Sequence, residues 1–278
     1  MKDKIVLITG STDGIGKQTA LELAQKGATV LIHGRSLKRG RVIVDQIIRQ
    51  TTNSSIDLFI SDFSSLNQVK ELAEEIKTKY NRLDILINNA GIYMKKRIVT
   101  EDGYEMTFQV NHLAHFLLTI LLLDLIEHSI PSRIVNVSSM AHSSTIDFND
   151  LQSEKNYSAY GAYALSKLAN ILFTIKLAED LKNKGVTVNC LHPGVIDTKL
   201  LREGFGSMGR DVNDGAKIPV FLASSPEVDD DTGKFYTNSF KGIIKKEQRA
   251  AEIAYNKDVQ EKLWEISTKL AGLKSPIQ

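Results

Sequence analysis

The start of the chain constrains its fold more than any other part. Residues 4–9, Lys-Ile-Val-Leu-Ile-Thr, form a short apolar, β-branched run, the pattern of a buried strand. The run leads directly into Gly10-Ser11-Thr12-Asp13-Gly14-Ile15-Gly16. A helical pattern follows through Ala20, Leu21, Leu23 and Ala24 and stops at Gly27. In this context the glycines permit a tight turn and let backbone approach a pyrophosphate. The helix N-terminus offers unpaired N–H groups and the positive end of a dipole. Residues 10–16 are therefore candidates for dinucleotide binding. Their spacing, Gly-x-x-x-Gly-x-Gly, differs from the commoner Gly-x-Gly-x-x-Gly, and a plain strand-to-helix turn is the alternative.

The unit repeats in kind. Strands are expected near 4–9, 28–33, 55–60, 83–88, 132–138, 186–191 and 233–237. Helices are expected near 14–26, 36–51, 65–80, 104–127, 158–183, 213–224 and 246–271. Such alternation implies an α/β chain with a doubly wound parallel sheet of about seven strands and helices on both faces. With 278 residues, 42% of them hydrophobic, the chain can bury one large core, and no linker or repeat divides it. It is read as a single domain, 1–278. Two irregular stretches, 140–158 and 192–211, follow strands and so belong to the ligand-binding edge of the sheet.

Several functional classes find no support. A net charge of +2 points to no nucleic-acid or acidic partner. The lone Cys190 allows no internal disulfide and suits a reducing compartment. No metal site is expected: His112 and His115 fall on a helical pattern and read as packing residues rather than ligands. The longest apolar stretch, 116–126, is far short of the roughly 20 residues that span a bilayer. It reads as a helix buried in a core or a subunit interface. The first strand begins too close to Met1 to leave room for a signal peptide. The expectation is a cytoplasmic protein without a transmembrane anchor.

Tyr163 and Lys167 lie four residues apart in a segment where Ala162, Leu165, Leu168, Ala169, Leu172 and Phe173 recur at helical spacing. Positions i and i+4 share a face. An ammonium beside a phenol lowers its pKa from about 10 and makes it usable as an acid or base near neutrality. Alone, such a pair also occurs on ordinary exposed helix faces. Two further segments accompany it: Asp84-Ile85-Leu86-Ile87-Asn88-Asn89-Ala90-Gly91 and Arg133-Ile134-Val135-Asn136-Val137-Ser138-Ser139. Together with the glycine turn, these motifs resemble the short-chain dehydrogenase/reductase family, in order and over nearly the whole chain.

The resemblance implies a single-domain Rossmann fold and assigns roles. Tyr163 would be the proton donor or acceptor, and Lys167 would hold its pKa down and bond the nicotinamide ribose. Ser139 would stabilise a developing oxyanion, with Ser138 as the alternative, and Asn111 would complete a proton relay. Asn89, Ala90 and Gly91 would line the cofactor, with Asp62 and Phe63 at the adenine. For Asp62 a helix N-cap is the competing role. Pro193, Gly194, Ile196 and Thr198 would form the loop over the nicotinamide. The glycine-rich stretch 198–212 would then be a mobile substrate lid with Leu200, Leu201, Phe205 and Met208 as an apolar wall.

Gly34 stands where relatives that prefer NAD usually carry Asp. Arg35 follows it, with Lys38 and Arg39 one turn on, so NADP is favoured over NAD. Asp13, where many NADP-dependent relatives are basic, points the other way. Val110-Asn111-His112-Leu113, Ser139-Met140-Ala141-His142, Lys167-Leu168-Ala169-Asn170 and Thr232-Gly233-Lys234-Phe235-Tyr236 resemble the retinol-dehydrogenase-like branch. The implied protein is an NADP-dependent carbonyl reductase or alcohol dehydrogenase for a small lipophilic substrate. It is expected to self-associate, with a homodimer favoured. A cofactor-binding regulatory or scaffold protein with little turnover is the alternative.

Overall fold

The computed structural model describes residues 1–206, 209–238, 244–245 and 248–274. The elements are β1 (Ile5–Ile8), α1 (Gly14–Gln25), β2 (Thr29–Gly34), α2 (Leu37–Thr51), β3 (Ile56–Ile60), α3 (Leu66–Lys79) and β4 (Ile85–Asn88). After them come α4 (Met106–Phe108), a π-helical turn (Gln109–Leu113), α5 (Ala114–Leu121), α6 (Leu123–Glu127), β5 (Ser132–Val137) and α7 (Ala159–Asp180). The chain continues with β6 (Val186–His192), α8 (Lys199–Phe205), α9 (Val212–Ser224), β7 (Phe235–Asn238), β8 (Ile244–Lys245) and α10 (Lys257–Leu270).

The strands form one sheet in the order β3-β2-β1-β4-β5-β6-β7-β8. The pairings from β3 to β7 are all parallel, and β8 joins antiparallel. Strand order reverses between β1 and β4, which opens a crevice at their carboxyl ends. Both faces of the sheet are covered, so the strands are apolar throughout rather than alternating. The two-residue period divides them between two cores. Leu7, Leu31, Leu86 and Ile134 join the core beneath α3, α5 and α7. Val6, Ile8, Ile32, Ile87 and Val135 join the core beneath α1 and α9.

Three expected elements differ. The helix expected over 104–127 is interrupted by the π-helical turn and again at Leu122, whose backbone leaves helical geometry at φ −97°, ψ 3°. The expected helix 246–271 starts only at Lys257, where Asn256 accepts from the N–H groups of Asp258 and Val259. Lys246 and Glu247 lie outside the described residues. The stretch 198–212 is not a plain glycine-rich loop: Thr198 caps α8 by accepting from Leu201 N–H, and Gly206 ends it in the left-handed region at φ +62°. Met208 lies outside the described residues.

Most of the apolar stretch 116–126 is buried within its own chain, with Ile120 and Leu121 only partly so. Trp264 on α10 packs edge-on to Phe116 with ring centroids 5.0 Å apart and lies 5.9 Å from Phe173 on α7. Among the described residues no helix is long and apolar enough to cross a membrane.

Candidate active site at the carboxyl edge of the sheet

The glycine turn is held closely against the end of β4. A Cβ at Gly10 (φ +64°) would stand 2.8 Å from Ala90 Cα. One at Gly16 would stand 2.4 Å from Asn89 Nδ2 and 2.5 Å from Gly10 O. Asn89 is a brace here: its amide donates to Thr9 O at 2.8 Å and Gly10 O at 3.2 Å. Thr9 Oγ1 accepts from the N–H groups of Asn89 and Ala90. The Ser11 hydroxyl points inward, donating to Ile8 O at 2.7 Å and accepting from His33 N–H at 2.9 Å. Asp13 caps α1 by accepting from Gly14 N–H at 2.8 Å. Thr12 stands beside Gly34, and the N–H groups of Ile15 and Gly16 belong to the open first turn of α1.

His33 was not a sequence candidate, yet it supports this turn. Its Nδ1 accepts from Gly10 N–H at 3.1 Å, so the proton sits on Nε2, directed at Ser61 Oγ (2.9 Å) and Ser61 O (3.2 Å). Burial keeps the ring neutral by lowering its pKa to about 4. Phe63 stacks on it with centroids 4.5 Å apart, which places the Phe63 side chain in the core. A histidine at the end of an apolar strand gives no such signal in sequence.

Beyond β2, a Cβ at Gly34 would approach Thr12 Cγ2 to 2.6 Å. Arg35, Lys38 and Arg39 are exposed at the start of α2, whose first turn holds no acidic residue. Cations at a helix N-terminus oppose its dipole, an arrangement that an anion bound there would relieve. Asp62 does not cap α3. It accepts from the N–H and hydroxyl of Ser64, while Asp102 caps the helix by accepting from Leu66 N–H at 2.8 Å.

Tyr163 and Lys167 both lie on α7 and are buried. Lys167 Nζ donates to Val137 O at 3.0 Å and sits 5.5 Å from the centroid of the Tyr163 ring. Burial lowers the lysine to about 8. Burial also pushes the phenol up to about 12, against a hydrogen bond from Ser139 that lowers it. The expected depression of Tyr163 by Lys167 is therefore not found in this structure. Desolvation of the phenolate outweighs the neighbouring ammonium, whose head is turned to Val137. The two serines separate clearly: Ser138 Oγ donates to Lys167 O at 2.7 Å, whereas Ser139 faces Tyr163.

Asn111 sits in the π-helical turn, a local irregularity that recurs at functional sites. Its Oδ1 accepts from Ile92 N–H at 2.8 Å, and its Nδ2 donates to Ile92 O and Ser166 Oγ. Asn111 Oδ1 and Lys167 Nζ each lie 3.6 Å from where a Gly91 Cβ would be, so they flank one point beside Gly91.

The loop after β6 completes the crevice. Gly194 adopts φ +100°, and Ile196 is buried against Gly215. Thr198 stands opposite Gly14, its Cγ2 3.4 Å from a Cβ built there. From α8, Leu200 reaches within 3.8 Å of that Gly91 position, and Phe205 lies 5.9 Å from Tyr163. Tyr93 and Tyr160 join Phe205 to form an aromatic cover over the phenol. His192, another residue absent from the sequence candidates, ends β6; its buried Nδ1 has no partner among the described residues.

A dinucleotide fits this arrangement. The glycine positions exclude side chains where a pyrophosphate would approach, α1 presents its open end, and the Tyr163 and Lys167 head groups lie across the crevice.

The sequence of residues 4–206 matches the family described as short chain dehydrogenase. Human retinol dehydrogenase 13 is 40% identical over 98% of this chain and 86% of its own length. Human retinol dehydrogenase 14 is 39% identical over 98% of this chain and 88% of its own. A protein of Mycobacterium paratuberculosis has a similar structure, with a TM-score of 0.83 at 31% identity, covering 99% of this chain and 96% of that one. An Escherichia coli structure that holds NADPH has a TM-score of 0.70 at 27% identity, covering 85% and 97%. The chain belongs to the short-chain dehydrogenase family, in its retinol-dehydrogenase-like branch, and is an oxidoreductase of the kind that works with a nicotinamide cofactor.

Proposed function

We propose that this chain is an NADP-dependent carbonyl reductase and alcohol dehydrogenase for small lipophilic substrates, poised for reduction at neutral pH. The observation that carries the reading is a buried Tyr163 beside Ser139, roofed by Tyr93, Tyr160 and Phe205, in surroundings whose desolvation favours the protonated phenol. When bound, NADPH would supply the hydride. Tyr163 would donate its proton to the carbonyl oxygen, and Ser139 would hydrogen-bond the developing oxyanion. Lys167 is placed to bond the cofactor ribose and to favour the phenolate that Tyr163 becomes. Asn111, whose Oδ1 flanks the same point near Gly91, would complete the route by which the phenolate is reprotonated.

The preference for NADP rests on Arg35, Lys38 and Arg39 around the start of α2, where a 2′-phosphate would offset unfavourably placed charge. The E. coli structure that holds NADPH supports the same choice.

The test is a panel of aldehydes and ketones assayed with NADPH and NADH. With about 0.8 kcal/mol per buried CH₂, kcat/KM is expected to rise with chain length until the apolar cover is filled. Best turnover of small polar carbonyls, or no NADPH oxidation with any member, would overturn the reading.

A further inference from the structure

We propose that the C-terminal segment 248–270 is a positioning element of the active site, holding Asn111 through Ser267, His112 and Asn170, and Ser139 through His142. The inference rests on the oxidoreductase reading above. It concerns a part of the chain beyond residues 4–206, the span that matches the family.

The directions of the hydrogen bonds can be deduced one after another. Asn170 Nδ2 lies 2.9 Å from Asn111 O, a carbonyl that can only accept. The Asn170 amide is thereby oriented, and its Oδ1 faces His112 Nδ1 at 3.3 Å. The oxygen accepts, so His112 carries its proton on Nδ1. His112 Nε2 must then accept, and its neighbour at 2.9 Å is the hydroxyl of Ser267 on α10. One directional chain therefore runs from Ser267 through His112 and Asn170 to the Asn111 carbonyl. All four residues are buried, so water cannot readily replace a missing link.

A second chain meets the first at the same oxygen. His115 Nδ1 lies 3.0 Å from Asn111 O and must donate to it, which leaves Nε2 to accept from Thr9 Oγ1 at 3.1 Å. The Asn111 carbonyl is thus held by the glycine-turn strand on one side and by α10 on the other. This bracing falls in the π-helical turn, where the Ala114 N–H reaches back five residues to Gln109 O. Backbone bonding alone fixes such a turn less firmly than an α-helix, so side-chain braces carry more of its geometry.

The same C-terminal segment also holds Ser139. His142 Nδ1 donates to Ser139 O at 2.7 Å, and His142 Nε2 accepts from Ala251 N–H at 3.0 Å. Two residues of the proposed proton-transfer group are thus tied, each through an imidazole, to chain that follows β7.

The test compares the full-length protein with Ser267→Ala, Ser267→Thr and His142→Asn, reading kcat with one aldehyde and NADPH affinity by fluorescence. His142→Asn keeps a donor towards Ser139 and removes the acceptor for Ala251. Losing one such hydrogen bond is expected to lower kcat about three- to tenfold in Ser267→Ala and in His142→Asn, with NADPH affinity within about twofold of the parent. Ser267→Thr, which retains the hydroxyl, is expected to restore kcat. Folded Ser267→Ala with parental kcat would overturn the proposal, as would kcat and NADPH affinity falling together without rescue by Thr. Should Ser267→Ala not fold, the half-buried His142→Asn decides by the same two readings. A parent that oxidises no NADPH with the aldehyde would instead overturn the oxidoreductase reading on which the inference rests.

Discussion

Lys167→Met is expected to make the cofactor-free protein more stable while abolishing turnover. The ammonium is almost fully buried and donates to Val137 O at 3.0 Å. Burial alone brings its pKa from 10.5 to about 8. At about 1.4 kcal/mol per tenfold change in proton affinity, keeping this lysine charged costs the folded state about 3 kcal/mol at neutral pH. Methionine has nearly the same volume and no charge. It cannot donate to Val137 O, a loss of about 1 kcal/mol. A net gain of about 2 kcal/mol should remain, several degrees in Tm for a chain of this size. The pH dependence carries the sign. Below about pH 8 the lysine is charged in both states and the penalty is complete. Between about 8 and 10.5 the folded state sheds the proton first, so parental stability climbs relative to the variant. Denaturant titration of both proteins without cofactor, at about pH 7 and about pH 10, reads the difference directly. A variant no more stable than the parent at pH 7, or a difference unchanged at pH 10, would refute the reasoning.

Other outcomes follow from the same geometry. Arg35→Ala is expected to weaken NADPH by the worth of a charged hydrogen bond, about 1.5–3 kcal/mol, and to leave NADH nearly unchanged; equal weakening in binding titrations would show a structural role instead. Gly34→Asp places a Cβ 2.6 Å from Thr12 Cγ2, so both cofactors are expected to bind more weakly, with NADH recovered by adding Thr12→Gly; tighter NADH binding by the single variant would contradict this. With the phenol raised to about 12, carbonyl reduction is expected to be level through neutral pH and alcohol oxidation to climb with pH as phenolate forms; pH profiles in both directions check it, and an oxidation rate that falls between about pH 7 and 9 would count against it.

The site was legible because its chemistry sits in short motifs at strand ends. Strand and helix periods placed the glycine turn and the Asn89 and Ser139 segments at strand ends, and the resemblance to the short-chain dehydrogenase/reductase family assigned their roles. What escaped were features that need partners distant in sequence. His33, His112 and His142 act through Gly10, Ser267 and Ala251, and nothing local marks those pairings. The π-helical turn was hidden because its residues keep the apolar pattern of an ordinary helix. α8 was hidden because its glycines read as breakers, although Gly204 packs beneath Tyr93 and Gly206 is the C-cap. The apolar run 116–126 was legible as buried, but that Trp264 of α10 is what packs on Phe116 was not. The direction of the Tyr163 shift also could not be read, because adjacency to Lys167 was visible and burial was not.

The most direct test of the central claim is a single-turnover measurement. Cofactor-loaded protein is mixed with a medium-chain aldehyde, and NADPH is followed to NADP for the parent and Tyr163→Phe. The parent is expected to oxidise its bound NADPH on mixing. Tyr163→Phe is expected to bind NADPH equally well and react at least about a hundredfold more slowly, the loss typical of a general acid. A variant that reacts at the parental rate, or a parent that holds NADPH without transferring hydride to any aldehyde, ketone or, with NADP, any alcohol, would contradict the account.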